Sequence, residues 1–245
     1  MEVPHTHRHE KKNWKSYLGE FFMLFLAVFS GFVAENLREG YVEKEKGHQY
    51  VQSMISDLET DTLKLQQVAN ANRKLLKGID SLLLYIKAPA SDSTNKQLYR
   101  YGSYVAASIL FESANGTITQ LKNAGGLRLI RDTASVNRIT AYDALNEMAR
   151  KQSDAYYKGT LDLLNVMEQI MDFSVALRPV PGGFFIDRDP VKMRMFYNKS
   201  YMQKQIIAGY AGYLNLLKAE ATHTLQVLRK DYHLETTQKD TTVKR

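Results

Sequence analysis

Residues 17–34 read YLGEFFMLFLAVFSGFVA, and the reading of this stretch organises the whole chain. Phe21 to Ala34 holds fourteen residues without one charge. At 1.5 Å per residue, the span from Tyr17 to Ala34 makes about 27 Å of helix, close to the ~30 Å hydrocarbon core of a bilayer. The one embedded charge, Glu20, lies about one turn inside the N-terminal end, where a carboxylate reaches the headgroups. Trp14 and Tyr17 stand where an interfacial aromatic belt belongs. The stretch reads as a short single-pass transmembrane helix. Two other readings compete. A buried helix of a soluble protein is rarely this dense in Phe and Leu without a polar interruption. A signal peptide cleaved after Ser30 would place Val28 at the −3 position, but Phe32 and Val33 carry the apolar run past the cut.

The flanks orient the span. Arg8, Lys11, Lys12 and Lys15 precede it, whereas Arg38, Lys44 and Lys46 follow it among Glu35, Glu39, Glu43 and Glu45. The positive-inside bias places the N-terminus in the cytoplasm and the body outside it. Within the span, Ala27 and Gly31 are four residues apart, and so are Ser30 and Ala34. Small residues at that spacing let two membrane helices approach closely, although such pairs also arise by chance in apolar segments.

The stretch from Glu20 to Phe29, the exit Ala34-Glu-Asn-Leu-Arg-Glu39 and the run Asp57-Leu-Glu-Thr-Asp61 together resemble a group of uncharacterised Bacteroidota single-pass membrane proteins. A second matching patch is Ile118 to Ile130 (ITQLKNAGGLRLI). The resembling stretches, 17–61 and 118–130, cover about a quarter of the chain. The resemblance implies a membrane-anchored helical ectodomain. It carries no established activity and transfers no catalytic residue.

Beyond the span, Val51, Ile55, Leu58, Leu65, Val68, Leu75, Ile79, Leu82 and Ile86 recur at helical spacing among Lys, Glu, Asp and Gln, which predicts an amphipathic helix with a coiled-coil-like stripe. It should end near Lys87, before Pro89, and Gly40 and Gly47 are the expected sites of a bend between membrane and body. After the linker 90–95 (ASDSTN), a second helix is expected over 96–113, stopped by Asn115-Gly116. A short helix through Asn123, capped by Thr117, should end at Gly125-Gly126. Asp132 is the expected cap of a third helix running to about Ala176, and the run from Arg178 to Pro190 (RPVPGGFFIDRDP) breaks it. A fourth helical region spans 191–234, with an interruption near Asn198 in prospect.

The fold class expected is therefore all-α: an N-terminal transmembrane helix followed by an up-down bundle of about four long antiparallel helices. The domains are a cytoplasmic basic, His-containing tail (1–16), the transmembrane helix (17–36), an extracytoplasmic bundle (37–234) and a disordered tail (235–245). Beyond a few residues around Phe184 to Ile186, no strand alternation is evident.

Chemistry is sparse. The chain has no cysteine, so thiolate nucleophiles and Cys-built metal sites are excluded. His5, His7 and His9 with Glu10 have adventitious metal affinity, but alternate-residue spacing suits no helix face. Asp57 and Asp61 share a helix face at i, i+4, half of a carboxylate metal site, yet the Glu-x-x-His partner is absent, and a solvated acidic face is the better reading. Phosphate loops and nucleophile elbows are missing. Tyr99, Tyr101, Tyr104, Tyr156, Tyr157, Tyr197, Tyr201, Tyr210 and Tyr213 at helical spacing read as core before they read as a pocket. No cofactor and no metal are expected.

Net charge is +7, from 33 Lys plus Arg against 26 Asp plus Glu. Apart from the N-terminal cluster these charges are dispersed, with no basic stripe of the kind a nucleic-acid binder shows. The expected partners are the lipid bilayer and a protein partner or second copy, with no nucleic acid. The candidate partner or ligand surface comprises Leu127, Ile130, Pro181, Phe184, Phe185, Ile186 and Asp187, apolar residues among helix breakers, with capping of the bundle core as the competing role. Candidate transmembrane packing falls to Ala27, Ser30, Gly31 and Ala34. The function expected is that of a scaffold or accessory subunit of a bacterial inner membrane, with a periplasmic body and no catalysis; a ligand-sensing module is the alternative.

Overall fold

A computed structural model describes residues 14–177 and 186–234. Its first element, α1, runs as one helix from Trp14–Lys87, 74 residues long, or about 110 Å. The chain then turns through Ser91, whose hydroxyl accepts from the Thr94 amide and caps α2 (Asp92–Val105). After 107–115, which are not helical, come α3 (Gly116–Asn123) and a single 3-10 turn over Gly126–Leu129. Two further long helices follow, α4 (Thr133–Met167) and α6 (Pro190–Asp231), with the short α5 (Phe173–Leu177) between them.

The protein is all-α, and the helices pack as an up-down bundle. Side-chain contacts fix the directions. Along α1 and α6, Glu59 meets Arg229, Gln66 meets Lys218 and Asp80 meets Lys204, an antiparallel register. Along α4 and α6, Ser135 meets Asp231, Ser153 meets Tyr210 and Asp162 meets Lys199, again antiparallel. The second arm of the bundle descends beside α1: Tyr101 stacks on Tyr85, Asn72 reaches Ile109 and Asp57 reaches Thr117. The core is one apolar cluster drawn from every arm, including Leu58, Leu65, Ile79, Leu98, Ile139, Leu163, Phe196 and Leu217, all buried.

Local signals act as expected at several joints. Asp132 caps α4 through the Ser135 amide, as expected. Asp189 and Pro190, read from the sequence as part of the helix-breaking run, instead start α6, Asp189 capping it through the amides of Val191 and Lys192 and Pro190 standing in the first turn. Gly125 takes φ +62°, the left-handed conformation that ends α3.

Elsewhere the structure corrects the sequence reading. α1 passes through Gly40 and Gly47 without a break, and Gly47 serves another purpose: a Cβ there would stand 2.2 Å from the Leu129 carbonyl oxygen, so the glycine admits the 3-10 turn against α1. The second helix starts inside the linker and stops at Val105, not near Ser113. Gly116 begins α3 instead of stopping its predecessor, and the α3 N-cap is Asn115 instead of Thr117. α4 ends at Met167; a turn follows, in which Met171 pairs with Ile186 as an isolated antiparallel bridge and the Asp187 amide donates to the Ile170 carbonyl. No interruption falls near Asn198 in α6.

The N-terminal part of α1 is long and apolar enough to cross a membrane once. Its most apolar eighteen-residue window has a mean hydropathy of 1.8 and is 0% buried. Phe21, Phe25, Phe29 and Phe32 are 51–67% exposed, which a core helix of a soluble protein does not tolerate. Phe21, Phe25 and Phe29 stack along one side, while nothing lies within 4 Å of where a Gly31 Cβ would stand.

Candidate functional site

The unusual element is the non-helical strap 107–115 in the second arm. Its register explains why it is not a helix. From Asn72 to Asp57, α1 advances about 22 Å, at 1.5 Å per residue. The facing residues, Ile109 and Thr117, are only eight apart in sequence. Eight helical residues cover about 12 Å, whereas extended backbone covers about 26 Å. Only drawn-out chain follows α1 to the bottom of the bundle.

Drawing the chain out strips it of helical hydrogen bonds, and three helices replace them with side chains. The Ile109 amide donates to the Tyr156 hydroxyl, and Asn72 Nδ2 donates to the Ile109 carbonyl at 3.0 Å. The Tyr156 hydrogen lies between the Ala107 carbonyl and Asn72 Oδ1. The Phe111 amide donates to the Tyr210 hydroxyl at 2.7 Å, and the Ala114 amide donates to Asp61 Oδ1 at 2.8 Å. From 107 to 111 the groups turned inward belong to alternate residues, 107, 109 and 111, the period-two pattern of extended backbone, and Ala114 turns inward again out of that phase. Each such bond left unmade in the core would cost about 1–3 kcal/mol.

Asp61 and Asp57 are corrected here. Instead of forming a solvated acidic face, Asp61 is fully buried, accepts from the Tyr142 hydroxyl and the Ala114 amide, and has its pKa raised, chiefly by burial. Asp57 Oδ2 accepts from the Thr117 amide. The pair holds the strap and the start of α3 to α1. Burial also raises the phenols: Tyr142 is pushed far up, with the Asp61 charge adding to the effect, Tyr156 rises to about 12, and Tyr210 rises as well. All three therefore keep their hydrogens at neutral pH.

The tyrosines divide accordingly. Tyr99, Tyr156 and Tyr210 are core, the Tyr99 hydroxyl accepting from the Asp172 amide; Tyr101, Tyr197 and Tyr213 are half-buried; Tyr104, Tyr157 and Tyr201 are exposed. Among the clefts on the described residues, two lie along the long faces of the bundle. One, of about 540 Å³, lies between the strap and α4. The other, about 490 Å³, lies on the α4–α6 face and is lined by Val191, Met195, Met202 and Ile206 with Arg194 and Lys199.

The residues singled out from the sequence are scattered. Leu127 is half-buried in the 3-10 turn and Ile130 is buried beside it, so both close the lower end of the core. Ile186 is buried against Met171, and Asp187 pairs with Lys192 at 2.6 Å, which lowers its pKa. These four therefore act as core caps and joints rather than as one exposed surface. Pro181, Phe184 and Phe185, the histidines at 5, 7 and 9, and the tail 235–245 lie outside the described residues. Ala27, Ser30, Gly31 and Ala34 are exposed on α1. Among the described residues no group of three His, Asp or Glu is arranged to hold a metal ion. His48 packs its ring against Tyr232, while His223 and His233 are exposed.

The fold and site define an all-α bundle built on a helix able to cross a membrane. No protein-family model matches the chain, and no curated protein or solved structure is significantly similar to it.

Proposed function

We propose that the protein is a non-catalytic scaffold or accessory subunit of a bacterial inner membrane, anchored by residues 17–36 with its bundle in the periplasm. The observation that carries this reading is the continuity of α1. One helix supplies both the exposed apolar segment and a central wall of the bundle, so the bundle stands at a fixed height and angle on its anchor. A stiff mount suits a protein that holds a partner in place. Leu63, Leu84 and Leu216 on the bundle surface are each more than half exposed and supply apolar contact area. The resemblance at residues 20–39 and 118–130 agrees with an envelope setting.

The α4–α6 cleft supports a second reading, a ligand-sensing module. Its volume lies in the range of small-molecule sites, and it combines apolar walls with Arg194 and the Lys199–Asp162 pair.

The absence of cysteine makes the test direct. Single cysteines at Leu63, Leu84 and Leu216 are to be crosslinked in intact membranes, alongside a phosphatase fusion after Arg245. One recurring crosslinked neighbour and an active fusion support the scaffold. An inactive fusion overturns the orientation. Absence of any neighbour at all three positions, with a small molecule retained on the purified protein, replaces the scaffold with the sensor.

A further inference from the structure

The strap has two edges, and the inner one carries most of its hydrogen bonds. Residues 107, 109 and 111 turn backbone groups toward Tyr156, Asn72 and Tyr210. By the alternation of extended chain, Ser108, Leu110 and Glu112 turn theirs the other way. Among the described residues, nothing accepts from the amides of these three, and of their carbonyls only that of Glu112 is met, by Lys64 Nζ at 3.4 Å. Over 108–112, about 13–17 Å of chain when extended, three amides and the carbonyls of Ser108 and Leu110 are thus without a protein partner among the described residues. The groove beside this edge is acidic. Glu112 on the strap and Asp143, Glu147 and Asp154 on α4 face Lys122 and Arg150, so carboxylates outnumber cations. Lys122 pairs with Asp143, and Arg150 sits between Glu147 and Asp154, leaving Glu112 without a cation of its own among the described ion pairs.

We propose that the outer edge of the strap receives an extended segment of a partner polypeptide carrying basic side chains. The segment pairs its backbone with Ser108, Leu110 and Glu112 and sets its cations into the acidic groove. Edge pairing supplies affinity irrespective of sequence, and the carboxylates select for Lys or Arg. An unpaired edge of this kind inside a bundle has a structural source: the strap is locked on its inner side by three helices, so it is ordered before a partner arrives. This rests on the scaffold reading and names the chemistry of the contact.

The test uses the full chain in detergent and three blocked hexapeptides: alternating Val and Lys, alternating Val and Glu, and the Val/Lys peptide N-methylated along its pairing edge. The readout is amide exchange resolved by residue. The Val/Lys peptide should slow exchange at Ser108, Leu110 and Glu112 by about tenfold or more and leave Ile109 and Phe111 unchanged. The Val/Glu peptide should bind several-fold more weakly, and the N-methylated peptide should give no protection. Glu112 is exposed, so Glu112→Lys should leave the bundle folded and, by bringing the groove to three carboxylates and three cations, abolish the charge preference. No protection with any peptide overturns the proposal, as does equal protection by the N-methylated one. Protection that grows with protein concentration alone assigns the edge to a second copy and overturns the heterologous partner. A crosslinked neighbour in membranes without edge protection overturns this inference and keeps the scaffold; edge protection without any neighbour overturns the scaffold instead.

Discussion

The Tyr142 hydroxyl on α4 donates to the Asp61 carboxylate on α1, and the other Asp61 oxygen accepts from Ala114 on the strap. One buried side chain therefore ties three arms of the bundle. Removing it strands two donors in the core.

Asp61→Leu should lower stability by about 2–4 kcal/mol, the cost of leaving the Tyr142 hydroxyl and the Ala114 amide unpartnered. Asp61→Asn keeps an acceptor and should cost less. The two also separate by pH. Burial raises the folded pKa of Asp61, so the folded state holds the proton more tightly than the unfolded chain. Its contribution is complete below the unfolded value of about 3.9 and is lost as pH rises through the folded value. Asparagine lacks that dependence, so Asp61→Asn should gain on the native chain as pH rises from about 4. Urea unfolding followed by circular dichroism across this range checks the sign. A gap that widens against asparagine with rising pH would refute it.

Asp132 should behave in the opposite sense. Hydrogen bonding from the Ser135 amide lowers its pKa, so its stabilisation is present above the unfolded value and is lost as pH falls through the folded one. Asp132→Ala should cost about 1 kcal/mol near neutral pH, as the loss of an N-cap does, and nothing in strong acid. A cost that persists unchanged in acid would assign the effect to packing.

The phenols that hold the strap are open to a minimal change. Tyr156→Phe leaves the ring in the core and removes the acceptor of the Ile109 amide; Tyr210→Phe does the same for Phe111. Each should cost about 1–3 kcal/mol. Tyr210→Phe should speed exchange at the Phe111 amide more than at the mid-helix amides of α4 and α6. Uniform acceleration throughout the bundle would mean that the strap has no separate stability.

These contacts also explain which parts of the fold could be read in advance. The stripe from Val51 to Ile86, the Asp132 cap and Gly125 act through neighbours a few residues away, so their meaning is local. The strap is different. Residues 106–114 (AASILFESA) have nothing against a helix, and they are drawn out because Asn72, Tyr156, Tyr210 and Asp61, from 37 to 99 positions distant, take their backbone groups. Likewise, i, i+4 spacing places Asp57 and Asp61 on one face but does not say whether that face meets water or a strap. Periodicity finds the arms of a bundle, while long-range side chains decide where an arm is broken.

Gly159 and Gln203 show how closely α4 and α6 approach. Gln203 Nε2 donates to the Tyr156 carbonyl and to Thr160 Oγ1, and its buried Oε1 would lie 2.2 Å from a Gly159 Cβ. Gly159→Ala should therefore displace the amide, break both bonds and lower stability by about 1–3 kcal/mol, despite the better helix propensity of alanine. Pairing it with Gln203→Ala removes the obstruction, so the double variant should cost less than the two single changes added together. Strict additivity would show that the two residues do not meet.

Gly40 and Gly47 lie seven residues apart on α1, and alanine should act on them in opposite directions. Nothing stands within 4 Å of a Gly40 Cβ, whereas at Gly47 the Leu129 carbonyl carbon and oxygen both block it. Gly40→Ala gains helix propensity of up to about 1 kcal/mol and should be neutral or stabilising. Gly47→Ala forces the 3-10 turn away from α1 and should cost about 1–3 kcal/mol. The damage should be local, because Leu127 and Ile130 close the lower core from that turn; exchange at 126–130 should rise before exchange in α6 does. The contrast also tests the stiff mount. If Gly40 were a working hinge, alanine there would stiffen the junction and alter which neighbours crosslink to the bundle; a continuous helix predicts an unchanged crosslinking pattern. A changed pattern with unchanged stability would return Gly40 to the role of a bend.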